Sequence, residues 1–247
     1  MRIAVVSDVH GNLPALEAVI AAIEAERVDL VVNCGDLLSG YVQPAQTADR
    51  LMAWDVPTVA GNHERQLLTF GPERIGMADR LAREVLSPGH LAWLRSLPAV
   101  LSPVPGVLAF HGSPTDDLRY LMHTVEVSGA RPAVVEEVLE RLGEVVHSHG
   151  LLLCGHTHLP GSMRLPGGVL VVNPGSVGWP AYADEVPFAH VMEVGSPHAR
   201  FAVVDDVSGR WEVEFRLVEY AWEVAAGFAV GFGRPDVAAA LRSGRVV

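Results

Sequence analysis

The 247-residue chain contains no lysine. Its 18 basic residues are all arginine and stand against 29 acidic ones, for a formal net charge of −11. A chain this acidic is a poor general partner for nucleic acid or an anionic membrane, since both repel it. Stable nucleic-acid binding is therefore not expected, and any anionic substrate must find concentrated positive charge at a specific place. Cysteine is scarce as well. Cys34 and Cys154 each close an apolar run, where buried free thiols in a reducing compartment are the expectation rather than a disulfide framework. No apolar stretch approaches the roughly 20 residues a membrane span needs. The chain enters a strand pattern at Ile3–Val6 without a signal-type segment, so a soluble, cytoplasmic protein is expected. Charged residues are too few, at 19%, for a disordered chain, and hydrophobic types, at 49%, supply a sizeable core. With no repeat, low-complexity tract or linker, one domain over 1–247 is expected, with the part from about 219 as a helical appendage.

The first third alternates β-branched runs with helical patterns: strand 2–7, helix 13–26 behind the N-cap Asn12, strand 29–33, helix 44–54 behind Pro44, strand 56–60. This βαβαβ order implies parallel strands with crossover helices. Residues 63–97 read as helical with breaks at Gly71-Pro72 and Ser87-Pro88. Strands are expected at 99–103, 107–111, 150–154 and 168–172, and an amphipathic helix at 131–143. From 188 to 217 short strands joined by turn residues suggest a second, largely antiparallel sheet. Beyond 219 the pattern is helical with a break near Gly231–Pro235. The class is α/β, shading into α+β in the C-terminal part. The last 30 or so residues are expected to cap the sheet or to mediate self-association, so a homo-oligomer stays open.

Five polar clusters fall just after predicted strands: Asp8-Val9-His10, Gly35-Asp36, Gly61-Asn62-His63-Glu64, His111-Gly112 and Gly155-His156-Thr157-His158. In open α/β sheets, sites gather at the carboxyl ends of strands, so the five can converge. A glycine beside each cluster permits sharp turns and close approach. Imidazole and carboxylate together suit Mn, Fe, Co, Ni or Zn, and a shared carboxylate such as Asp36 can bridge two cations. Single motifs carry little weight. With 11 histidines, a His-x-His pair arises by chance roughly 0.5 times in such a chain, and His147/His149 is a second one, read as a solvated surface pair. The ordered set of five is what carries specificity.

That set, D-x-H, G-D, G-N-H-E, a lone H and G-H-T-H, resembles the calcineurin-like metallophosphoesterases from residue 7 to about 178. Ser7–Asn12 and Asn173–Gly178 are similar to its small prokaryotic phosphodiesterase branch. The resemblance implies a four-layer αββα sandwich of two mixed sheets flanked by helices, with the late strands forming the second sheet. It implies two divalent transition-metal ions, manganese first among them. Asp8, His10, Asp36 and His158 would hold one, and Asp36, Asn62, His111 and His156 the other, with His63 catalytic near the leaving group. It further implies hydrolysis of a small phosphate ester, most naturally a diester, by a metal-bridging hydroxide. A phosphomonoesterase or nucleotidase of the same superfamily and a non-catalytic metal-binding scaffold are the alternatives. One departure narrows the class. Gly35-Asp36 is followed by Leu37-Leu38-Ser39-Gly40, not by the x-x-D-R-G of the protein phosphatases, whose Asp orients the catalytic His. This argues against protein phosphatases and dinucleotide tetraphosphatases, and leaves His63 without an evident partner. Glu64 is adjacent only in sequence. Arg119, Tyr120, His123, Trp179 and Tyr182 could reach the site or pack elsewhere.

Overall fold

A computed structural model describes residues 1–247. In chain order its elements are β1 (Arg2–Val6), α1 (Leu13–Glu26), β2 (Leu30–Asn33), α2 (Pro44–Trp54), α3 (Asn62–Thr69), α4 (Met77–Val85), α5 (Pro88–Ser96), β3 (Val100–Leu101) and β4 (Val107–Phe110). There follow β5 (His123–Glu126), β6 (Gly129–Pro132), α6 (Val135–Leu142), β7 (Leu151–Leu153), β8 (Gly161–Arg164), β9 (Leu170–Asn173), β10 (Ala181–Asp184) and β11 (His190–Glu193). The chain ends with β12 (Ala199–Val207), β13 (Arg210–Val218), α7 (Trp222–Gly231) and α8 (Pro235–Ser243).

Alternation along the strands explains the layering, because successive side chains leave a strand on opposite faces. Ala4, Val6 and Val203 face α1 and the helices behind it, in one apolar core. Ile3, Val5, Ala202 and Val204 face the other way and meet Val107, Ala109, Leu151 and Val172 in a second core between the sheets. Leu108, Phe110, Leu152 and Val171 pack outward onto Val138 and Leu142 of α6 in a third. The result is helices, sheet, sheet and helix. Both sheets are mixed: one runs β13-β12-β1-β2, the other β3-β4-β7-β9-β8.

The late strands do not form the second sheet, as the sequence suggested. β12 pairs antiparallel with β1, Arg2 opposite Asp205, and β13 extends the same sheet. β3, β4, β7, β8 and β9 build the other, while β5–β6 and β10–β11 form two separate hairpins. The reason lies in β1, whose Ile3–Val6 are wholly buried. A strand buried on both faces needs a partner on each edge. β2 supplies one, and the equally apolar Phe201–Val204 supplies the other. The strand expected at 56–60 shrinks to one bridge, Asn33 to Thr58, because Pro57 has no N–H to donate and Asp55 turns left-handed before it (φ 50°). The helix expected at 131–143 starts only at Val135, since residues 129–132 pair with 123–126 in a hairpin. The α7–α8 pair packs on Tyr41, Val42, Ala78 and Leu81 in a fourth apolar cluster. No helix is long and apolar enough to cross a membrane.

Candidate metal centre

β1 and β2 run parallel, as do β4 and β7, and the loops leaving their carboxyl ends meet at one end of the sandwich. Main-chain bonds stitch them together: Asp8 N–H donates to the Gly35 carbonyl (2.9 Å), His10 N–H to that of Asp36 (3.1 Å), and Gly155 N–H to that of His111 (2.8 Å). Turning the side chains inward strains the backbone. Asp8, His10, Asp36, His156 and His158 all have φ between 50° and 71°, a region that costs a non-glycine residue about 1–3 kcal/mol. Only three other non-glycine residues share it, Arg27, Asp55 and Ser208, and the first two end helices. The crowding extends to Gly61, where a Cβ would lie 2.2 Å from Asp36 Oδ1.

All seven residues expected to bind metal come together here. Asp8, His10 and His158 form one group whose donor atoms lie within 4.8 Å of one another, and Asp36, His111 and His156 form a second. Asn62 joins the second through Oδ1, 3.1 Å from His111 Nε2. Asp36 Oδ2 lies 3.0 Å from the same nitrogen, while its Oδ1 accepts from His63 N–H.

Each histidine has one ring nitrogen committed to a main-chain carbonyl: His10 Nδ1 to Ser39 (2.7 Å), His111 Nδ1 to Cys34 (2.7 Å), His158 Nδ1 to Trp179 (2.6 Å), and His156 Nε2 to Leu118 (3.0 Å). A ring that donates one N–H outward presents the lone pair of its other nitrogen inward, which is how ligating histidines are fixed. The inward atoms crowd one another. His10 Nε2 and His158 Nε2 stand 3.0 Å apart, and buried Asp8 Oδ2 has no hydrogen-bond partner. Electron-rich atoms packed this way need positive charge between them, so the donor set fits two divalent cations. Without cations, protons must serve. Burial alone would lower the His111 pKa, but the Asp36 carboxylate outweighs it and pushes it up to about 10. His10, buried and facing His158, is pushed down to about 3.

Two neighbours hold this constellation. Buried Glu64 makes no hydrogen bond to His63. Its carboxylate accepts from the N–H groups of Asp36 (2.9 Å), Leu37 (2.9 Å) and Gly61 (2.8 Å), tying the β2 loop to the start of α3. The partner of His63 is Asp79 of α4, whose Oδ1 accepts from Nδ1 at 2.9 Å. The ring edge opens to the cavity with 28% exposure, and Asp79 is 2% exposed. Burial alone would lower the His63 pKa; Asp36, then Asp79, overcome it and hold it at about 9.

His10, Asp36, Asn62, His63, His156 and His158 floor a cavity of about 370 Å³ whose walls include Trp179, Tyr120, Tyr182, Ala78 and Arg234. Tyr182 OH donates to the His156 carbonyl (3.2 Å) and meets Tyr120 OH (2.7 Å). Arg119 turns to the surface and pairs with Glu140; with His123 it lines a neighbouring cavity instead. His147 is exposed, and His149 bonds the Val145 carbonyl. Asn12 caps α1 and also donates to the Gly178 carbonyl. Asp79, the clamp role of Glu64, and Arg234 were not found from the sequence, since no local motif places them near the strand ends.

The model of the calcineurin-like phosphoesterase superfamily domain matches residues 1–195. An uncharacterized protein of Methanocaldococcus jannaschii is 25% identical over 201 residues, 72% of this chain and 76% of that one. The crystal structure of a metallophosphoesterase from Sphaerobacter thermophilus is similar at a TM-score of 0.72 and 24% identity over 98% of both chains. That of a hypothetical protein from Pyrococcus horikoshii reaches 0.76 at 19% identity, over 100% of this chain and 99% of that one. At these identities the two structures speak for the fold.

Proposed function

Starting from the fact that the chain belongs to the calcineurin-like phosphoesterase superfamily, we propose that it is a dinuclear metal-dependent phosphodiesterase acting on a small phosphate ester. The observation that carries this reading is the pair of donor groups, Asp8–His10–His158 and Asp36–His111–His156, with Asn62 beside the second and every ring fixed by a main-chain carbonyl. Asp36, with His63 on one oxygen and His111 near the other, is the residue suited to serve both cations. When bound, the cations supply Lewis acidity toward phosphoryl oxygens and a nucleophile near neutral pH. Imidazole, carboxylate and amide donors suit Mn, Fe, Co, Ni or Zn, and manganese is the first to test. They also supply the local positive charge that this acidic chain otherwise lacks.

The protein's own residues do the positioning. Asp79 fixes the His63 ring through Nδ1, which leaves Nε2 to hydrogen-bond or protonate the departing oxygen. Glu64 holds the Asp36 loop in place. The lack of the x-x-D-R-G Asp is met by Asp79, which reaches the same histidine from another helix.

The test compares bis-p-nitrophenyl phosphate with p-nitrophenyl phosphate, using protein stripped with EDTA and reloaded with Mn²⁺. Faster diester hydrolysis, abolished by EDTA, is expected. Faster monoester hydrolysis would make it a monoesterase. Two bound cations without hydrolysis of either ester would make it a scaffold.

A further inference from the structure

Residues 196–247 lie beyond the family match, yet one of them reaches the metal cavity. Arg234, in the loop between α7 and α8, is the only guanidinium or ammonium group on its lining, where Asp36 and Asp184 are the acidic groups. It makes no hydrogen bond or ion pair with any of the seven donors. Its guanidinium stacks 4.5 Å over the Tyr41 ring, Tyr41 meets Trp179 edge-on at 5.7 Å, and Trp179 meets His10 at 5.1 Å. Arg234 is thus set to one side of the donors rather than over them.

Its hydrogen bonding is incomplete. Nε and Nη2 donate to the Asp236 carboxylate and Nη1 to Tyr41 OH. A guanidinium has five N–H groups, so two remain, one on each terminal nitrogen. Asp236 is 52% exposed, and an ion pair facing water leaves much of the cation's attraction for a ligand intact. The aromatic stack fixes the plane of the group, and a fixed planar fork suits an anion with two oxygens, phosphate above all. The support beneath is rigid: Tyr41, Ala226, Ala229 and Val237 share one buried cluster.

Building on the phosphodiesterase reading, we propose that Arg234 binds a second phosphate of the substrate, remote from the phosphorus held at the metals. The substrate class is then a phosphodiester carrying a further phosphate, and the C-terminal helix pair is the element that selects it. Arg234 is a specificity-determining residue in this proposal.

Thymidine 5′-(p-nitrophenyl phosphate), with and without a 3′-phosphate, tests it on the Mn²⁺-loaded protein. The natural protein is expected to favour the 3′-phosphorylated ester in kcat/KM by about 10–100-fold, mainly through KM. R234Q should bring that ratio close to one, and R234K should leave an intermediate value. A ratio near one in the natural protein, or an R234Q variant that slows both esters by the same factor, overturns the proposal. Binding of thymidine 3′,5′-bisphosphate against thymidine 5′-phosphate, measured by calorimetry, repeats the comparison without turnover. If neither ester is hydrolysed the phosphodiesterase reading fails, and calorimetry alone decides the role of Arg234. Selective loss of bisphosphate binding in R234Q supports it, and equal affinities overturn it. If R234Q does not fold, R234K answers through the same ratio, with an unchanged preference counting against the proposal.

Discussion

The floor of the metal cavity and the wall beside it are built differently. The floor comes from strand ends. Six of its seven donors are buried and His156 is half-buried, five have left-handed backbone, and the four histidines are locked by main-chain carbonyls. Of the wall, the side at Trp179, Tyr120 and Tyr182 comes from loops and β10, and the side at Ala78 and Arg234 comes from α4 and the α7–α8 pair, held by small apolar side chains and by partly exposed ion pairs such as Arg234–Asp236. A strained floor whose histidine rings are each held by a main-chain carbonyl suits chemistry that demands fixed distances. A wall packed with alanine can change its contents at modest cost, so it is where substrate preference can vary.

Substitutions test that division. Asp36→Ala should have the largest effect: mass spectrometry should find fewer than two cations per chain, and diester turnover should fall by more than ~10³-fold, the loss of metal-assisted catalysis. Two retained cations would break the idea that Asp36 joins the groups. His63→Ala should cost ~10²–10⁴-fold in kcat, as loss of a positioned acid does, with both cations still bound; lost metal would move His63 into the floor proper. Glu64→Gln weakens the clamp on the Asp36 loop and should lower metal affinity by ~10–100-fold, seen as a shifted Mn²⁺ activation curve.

Asp79→Asn belongs to the wall by origin and to the floor by contact. In metal-free protein His63 should titrate near 9 by NMR, and the substitution should bring that value down. The sign follows from the raised value. The stability that protonated His63 gains from Asp36 and then Asp79, net of the burial that opposes it, is fully present below the ring's ordinary 6.5 and is lost as pH rises through about 9. Metal-free Asp79→Asn should therefore show a shallower fall in Tm over that window. Smallest at the metals is Ala229→Leu. Overfilling the buried α7–α8 contact should cost about 1–3 kcal/mol of stability and raise KM, while metal content stays at two. A changed metal content would show that wall and floor are not separable.

The same division separates what could be read in advance from what could not. The floor was legible because its five motifs each sit within a few residues of a strand pattern, so local periodicity and local chemistry coincide. The two-sheet, four-layer architecture followed from resemblance, but the membership of the sheets did not. Nothing in Phe201–Val204 alone shows that it pairs with Ile3–Val6 across some two hundred residues. The Asp79–His63 contact joins an ordinary first-turn helix acid to a motif sixteen positions earlier, and only the packing of α3 on α4 decides it. The left-handed backbone at Asp8 or His156 has no signature either, since neither residue is one that demands it.

The pairing of β1 with β12 also sets an order of assembly. On the ribosome, the strand that carries Asp8 and His10 at its end has β2 beside it early, but its other edge stays open until residues 199–207 have been made. At about 5–20 residues per second, that interval is on the order of 10–40 s. Two of the seven donors, Asp8 and His10, therefore stand at the end of a strand with one open edge until β12 has been made.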